Sequence, residues 1–210
     1  MMQDGDQGTR RRNMRMGSGA GFSSDRLGPA VDLAEKGALD WLVFETIGER
    51  TLAFGHRDRR LDPERGYNPQ LGARMRAVLG HCRENRTRIM TNMGVANVER
   101  AAEVVVDVAR ELGLDGLRVA AVLGDEVTDQ LDGTTPLIDA EGLTIGDVGR
   151  ALVGANAYLG IDAILPAIET EADVVITGRV ADPSLFLAPI VAEYGWARDD
   201  WRRLGQGTMV

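Results

Sequence analysis

Five stretches of the chain carry side chains able to move protons or hold anions: 17–25, 45–50, 92–97, 124–126 and 178–184. Glu45 closes the apolar run Trp41-Leu42-Val43-Phe44, where a general base or a metal ligand would stand if the run is a buried strand; a pair with a nearby arginine is the competing reading. Asp125 and Glu126 are adjacent and so need not face one point, which leaves one of them as acid or base, or both as solvated loop carboxylates. Asp182 precedes Pro183, a pairing that suits a helix N-cap as well as a proton carrier. Arg179, directly after Gly178, is placed to clamp a carboxylate or phosphate.

The alternation Gly17-x-Gly19-x-Gly21 would let backbone N–H groups approach an anion at a helix start. It departs from G-x-G-x-x-G, because Phe22 stands where the third glycine belongs, so a merely tight turn is an equal reading. Ser24, Asp25 and Arg26 follow, either as ligand contacts or as helix-capping residues. With Asn92, Gly94, Asn97 and Gly178 they complete the candidate substrate-binding set, while Glu45, Asp125 and Asp182 are the candidate catalytic residues. His56 falls in a charged stretch and could move over a site; His81, next to Cys82, reads as structural. No Cys/His cluster suggests zinc, no G-x-S-x-G is present, and no metal ligand set is assigned.

These stretches need elements to position them, and the pattern alternates strand with helix. A strand is expected at 13–16, running into the glycine loop. A helix follows with Leu27, Val31 and Ala34 on one face, capped by Ser23 or Ser24 and ended by Gly37. Next come a strand at 41–45, a polar connection over 57–65, and a helix from near Pro69 carrying Leu71, Met75, Val78, Leu79 and Cys82. Strand 88–91 leads to a helix capped by Asn97 and stopped by Gly113, then to strand 117–123. A polar excursion over 128–142, a helix over 145–159, a short helix over 161–169, strand 173–177 and a helix over 183–194 complete the reading. Strands separated by helices require crossover connections. The expectation is therefore a Rossmann-like, doubly wound α/β fold, with a mostly parallel sheet and helices on both faces. In such sheets ligands gather beyond the carboxyl ends of the strands, where all five stretches fall.

Composition narrows the function classes. The 210 residues, 44% hydrophobic, can bury a real core. A net charge of −8 argues against a general nucleic-acid binder. Lys36 is the only lysine, which nearly excludes Schiff-base catalysis and a Walker-type phosphate lysine. One cysteine, Cys82, permits no internal disulfide and fits a reducing, cytoplasmic setting. No apolar run reaches the ~20 residues that span a bilayer, and the N-terminus lacks the apolar stretch of a signal peptide. Residues 1–12, with Arg10, Arg11 and Arg12, read as a disordered basic extension ahead of an α/β domain over 13–210.

Longer motifs carry a resemblance. Gly17-Ser-Gly-Ala-Gly-Phe-Ser-Ser-Asp-Arg26, Asp40-Trp-Leu-Val-Phe-Glu45, Thr91-Asn-Met-Gly94, Ala155-Asn-Ala-Tyr-Leu-Gly160 and the stretch from Ala172 to Pro189 resemble the acyclic terpene utilisation AtuA family. The likeness covers nearly everything after residue 14. It implies a place in bacterial breakdown of citronellol- and geraniol-type terpenes through acyl-CoA intermediates. Family members typically run further, so the resemblance also implies a chain truncated at its C-terminus.

Three functions follow as expectations. One is a hydratase or lyase acting on a branched acyl-CoA or related carboxylate, with the glycine loop and Arg179 holding anionic groups and Glu45, Asp125 or Asp182 moving the proton. Another is a non-catalytic partner subunit of a pathway enzyme, presenting an exposed apolar patch. The last is a nucleotide-binding protein with Glu45 on a ribose. Cofactor and oligomeric state stay open, with a small-molecule substrate and no nucleic acid or membrane partner expected.

Overall fold

The computed structural model describes residues 13–209. The expected N-terminal extension over 1–12 lies outside the described residues. Five strands, β1 (Met16–Ala20), β2 (Trp41–Phe44), β3 (Arg88–Thr91), β4 (Val119–Val122) and β5 (Val174–Thr177), form one all-parallel sheet in the order β1-β2-β3-β5-β4. Eight α-helices are described: α1 (Gly28–Lys36), α2 (Glu49–Leu61), α3 (Leu71–Asn85), α4 (Val98–Glu111), α5 (Ile145–Val148), α6 (Ile161–Glu169), α7 (Ser184–Tyr194) and α8 (Trp201–Thr208). This is the doubly wound α/β architecture that the alternation of strand and helix predicts.

The sheet divides the core in two. Helices α1, α3 and α4 pack Ala30, Ala34, Met75, Val78, Val105 and Val108 against Leu42, Phe44, Ile89 and Ile176 on one face. Helices α6 and α7 pack Ile164, Ile168, Leu185 and Val191 against Trp41, Val43, Met90 and Val175 on the other. Strands buried on both faces must be apolar throughout, which is why Trp41–Phe44 and Val174–Thr177 read so clearly in the sequence. Helix α2 lies along the carboxyl edge, where Leu52 and Ile47 meet Val95 and Ala96.

Several boundaries depart from the sequence expectation. The first strand is Met16–Ala20 rather than 13–16, so Gly17 and Gly19 are strand residues and the loop begins at Gly21. Parallel pairing of Met16 with Trp41 and of Ala20 with Phe44 sets this register. A Cβ on Gly17 would meet Leu39 at 2.6 Å, and one on Gly19 would meet the Phe44 ring at 2.6 Å. These two glycines make room for neighbouring core side chains. Helix α1 is entered from Leu27 with no side-chain cap, so neither Ser23 nor Ser24 caps it. The polar stretch 57–65 is mostly helical: α2 runs through it to Leu61. The expected helix over 145–159 reduces to α5 and a single 3-10 turn, Gly149–Ala151, because Gly149 takes φ +54° and the chain then extends.

Arginine side chains close several gaps between elements. Arg88 lies over the Trp41 ring at 4.2 Å and donates to Ala172 O and Ile168 O, satisfying carbonyls at the end of α6. Arg118 does the same for Thr170 O and Glu171 O. Among the described residues, no helix is long and apolar enough to cross a membrane.

Replacement of Gly19 by alanine is expected to destabilise the protein by about 1–3 kcal/mol, because the fully buried Phe44 ring has no room to retreat. Urea unfolding of the variant measures this; an unchanged midpoint would show that the strand assignment at Gly19 is wrong.

Candidate functional site

The connections leaving β3 and β5 go to opposite faces of the sheet, α4 with the first half-core and α7 with the second. Neighbouring strands whose connections diverge in this way leave a crevice at their carboxyl ends. The register brings Phe44, Thr91 and Ile176 level; Glu45 and Asn92 follow directly and Gly178 one residue later, so all three lie at the carboxyl ends that border this crevice. The approach is close: a Cβ on Gly94 would meet Thr177 O at 2.6 Å. Val95, within the same loop, holds φ +51°, a strained conformation for a β-branched residue and one that clusters at functional sites.

Glu45 is half-buried. Its Oε1 accepts from Ile47 N at 2.9 Å and from Asn92 Nδ2 at 2.9 Å. Among the described residues its Oε2 has no hydrogen bond. Asn92 is fully buried and is itself fixed, because its Oδ1 accepts from Thr46 N at 2.7 Å. Burial pushes the Glu45 carboxyl above the usual carboxylate range; the bonds from Asn92 and Ile47 oppose this, the nearby Asp182 charge adds to it, and the Arg179 charge opposes it.

Arg179 is buried and already occupied. Its guanidinium donates to Ile47 O at 3.0 Å, pairs with Asp182 at 3.0 Å and lies 3.9 Å over the Tyr158 ring, while its Nε has no partner among the described residues. Asp182 therefore serves Arg179 and does not cap α7, whose N-cap is Pro183 with no side-chain bond. Tyr158 in turn donates to Glu49 Oε1 at 2.5 Å, a bond that holds the Glu49 carboxyl low and pushes the phenol up.

Asp125 is 5% exposed, and its Oδ2 accepts from Arg179 N at 2.7 Å and Asn156 Nδ2 at 2.8 Å. A side chain on Gly178 would collide with this carboxylate. Glu126 points elsewhere, to Arg59 at 2.7 Å. Asn97 caps α4 by accepting from Arg100 N, and its amide also donates to Pro63 O and Arg65 O.

The glycine loop is a separate cluster. The Asp25 carboxylate accepts from Gly21 N at 3.1 Å and Arg26 N at 2.8 Å, and those backbone bonds hold it low. Beneath it the buried Arg74 donates to Asp25 O and to Gln70 Oε1. Among the described residues no hydrogen bond joins Gly21, Ser24, Asp25 or Arg26 to Glu45 or Arg179. Ser24 instead lines a hollow of about 250 Å³ with Ser23, Thr51, Phe54, Tyr67, Asn68, Gln70 and Val95. A second hollow of about 190 Å³ lies between Val95–Glu99 and Leu123–Glu126, so Val95 borders both. No three His, Cys, Asp or Glu side chains converge as metal ligands among the described residues.

The sequence matches the family described as acyclic terpene utilisation family protein AtuA over residues 14–210. The chain belongs to the AtuA family. No curated protein and no solved structure matched it. AtuA membership ties the chain to acyclic terpene utilisation, and the matched span includes every residue described at the crevice.

Three residues at this crevice escape a reading by strand ends alone. His56 is 4% exposed on α2, not in a mobile loop. Asn156 and Tyr158 arrive from a segment that helical periodicity claims, whereas Glu49, which opens α2, falls within the strand-end stretch 45–50. The Ala155-Asn-Ala-Tyr-Leu-Gly160 motif was the available signal for two of them.

Two outcomes follow. The folded state raises the Glu45 pKa, so it binds more protons than the unfolded chain between the ordinary value of 4.5 and the raised value. Glu45 therefore contributes a destabilisation that grows as pH rises through that window and is absent below it. Glu45→Gln is expected to gain stability relative to the parent across the same window, measured by urea unfolding at a series of pH values; a constant difference would remove the burial argument. Gly178→Ala, by displacing Asp125 from Arg179 N, is expected to cost about 1–3 kcal/mol.

Proposed function

We propose that this AtuA-family chain is an enzyme of hydratase or lyase type acting on a branched acyl-CoA or a related carboxylate, with Glu45 carrying the proton. One observation carries the reading: among the described residues Glu45 Oε2 has no hydrogen bond, while burial raises the pKa of this carboxyl at the crevice, as a group that both takes and gives a proton requires. In a hydration, the carboxylate takes a proton from water as the hydroxyl adds to the β-carbon, and the acid then delivers a proton to the α-carbon. Asn92 fixes Oε1 and aims the free oxygen. Buried Arg179 and the exposed Asp182 form an ion pair beside it and set its electrostatics. Asp125, with Oδ2 taken by two donors, holds Arg179 in place. The hollow beside Ser24 offers hydroxyl and amide groups for the polar part of the substrate, with Arg57 over the Phe54 ring at 4.8 Å at its rim.

A second reading, a non-catalytic partner subunit, is favoured by one feature. The edge strand β4 borders an open, largely apolar groove of about 730 Å³ lined by Val119–Leu123, Ala163, Pro166 and Ala167, and Leu123 is 53% exposed.

Thermal unfolding with free CoA, a branched enoyl-CoA and NAD(P) separates these readings. A ligand at 100 times its Kd adds about 2.7 kcal/mol, which shifts the midpoint by several degrees at this size. The enzyme reading expects a shift with the enoyl-CoA and incorporation of solvent deuterium at its α-carbon. Glu45→Gln is expected to slow that incorporation by about 10²–10⁴ while keeping the thermal shift. No shift and no exchange in the folded protein would pass the function to the partner-subunit reading.

A further inference from the structure

A chain of short hydrogen bonds runs from helix α2 to the Arg179 backbone. His56 Nε2 lies 2.6 Å from Asn156 Oδ1, Asn156 Nδ2 lies 2.8 Å from Asp125 Oδ2, and the same oxygen takes Arg179 N at 2.7 Å. The direction of every link is fixed by its end. An ionised carboxylate only accepts, so the Asn156 amide must turn its NH2 to Asp125 and its oxygen to His56. That oxygen only accepts, so His56 must present a proton on Nε2. The other ring nitrogen, Nδ1, is 3.9 Å from Glu126 Oε1, too far for a hydrogen bond.

Two glycines leave room for this chain. A Cβ on Gly154 would meet the His56 ring at 2.5 Å, and one on Gly178 would collide with the Asp125 carboxylate. His56, Asp125 and the Arg179 side chain are each at most 5% exposed, so bulk water does not compete for these bonds. Hydrogen bonds for which water does not compete hold their groups in fixed positions. Its far end sets the Arg179 peptide, and the Arg179 guanidinium in turn holds Ile47 O and Asp182 on either side of the crevice.

We propose that His56 and Asn156 are positioning residues of the crevice, which fix the Arg179 backbone through the Asp125 carboxylate and so fix the Arg179–Asp182 pair relative to Glu45. The inference rests on Glu45 as the group to be positioned. Its tests need no substrate, so failure of the acyl-CoA reading leaves it standing.

The first test is the 15N spectrum of the His56 ring in the full chain. In the neutral ring the proton is expected on Nε2. A neutral ring protonated on Nδ1 would reverse the first link and overturn the proposal. The second is a 13C titration of the Glu45 carboxyl in four variants. Asn156→Leu and His56→Leu are expected to loosen the Arg179–Asp182 pair and so move the Glu45 midpoint, since the Asp182 charge raises it and the Arg179 charge lowers it. His56→Gln keeps an N–H donor and is expected to keep the parent midpoint. Val108→Ala, a core truncation on α4, is expected to lower stability and leave the midpoint alone. A folded Asn156→Leu with an unmoved Glu45, or a Val108→Ala that moves it as far, would reduce the chain to ordinary packing. Should both leucine variants fail to fold, the tautomer and the His56→Gln titration still decide: a moved midpoint in His56→Gln would overturn the proposal.

Discussion

The carboxylate of Asp125 joins the carboxyl ends of β4 and β5 at a place where bulk water barely reaches. A buried ionised group of this kind is tolerated only when donors surround it, and removing one donor costs more than the bond is worth on average. Asp125 has two on one oxygen, the Arg179 N–H and the Asn156 amide. The first sets the turn out of β5. The second draws in the segment that returns from the excursion after β4, which then pairs Glu126 with Asn156 and Leu159 with Val180. From that anchored segment Tyr158 bonds Glu49 through its hydroxyl and lays its ring face against the Arg179 guanidinium. The crevice, the start of α2 and the end of β5 thus share one electrostatic requirement.

The choice of arginine over lysine has a structural counterpart. Arg88 and Arg118 each reach two carbonyls around the end of α6, and Arg179 reaches a carbonyl and a carboxylate at once. A planar guanidinium serves two acceptors in fixed directions while its face lies on an aromatic ring, as Arg88 does on Trp41; an ammonium offers no such flat face. A protein with one lysine and short strands closes its helix ends and its crevice with the same side chain.

What the sequence showed depended on how local the cause was. Strands β2 and β5 are largely apolar because both faces are covered, and that condition is written in consecutive residues. Helix α4 carried both its cap, Asn97, and its apolar stripe. Glu45, Asn92 and Arg179 were legible because they follow such strands directly. Helix α2 was not, since only Gly55 and His56 are buried along it and its solvated face resembles a polar connection. Gly17 and Gly19 suggested a loop because their reason, contact with Leu39 and with Phe44, lies about 20 residues away in sequence. Asn156 and His56 are 100 residues apart, and no periodicity reports a contact of that range.

The position of β5 between β3 and β4 has a consequence for how the chain reaches this state. Strand β4 is made before β5, its one neighbour in the sheet among the described residues, so Val119–Val122 cannot join that ladder until residues 174–177 have left the ribosome. Through that interval it is an apolar strand with both edges open, and β3 likewise has one edge bare. Non-local parallel pairing is slow, and such species associate readily with one another. Yield from synthesis should therefore depend on how quickly the stretch between Leu123 and Asp173 is translated and whether a holding chaperone covers β4 meanwhile.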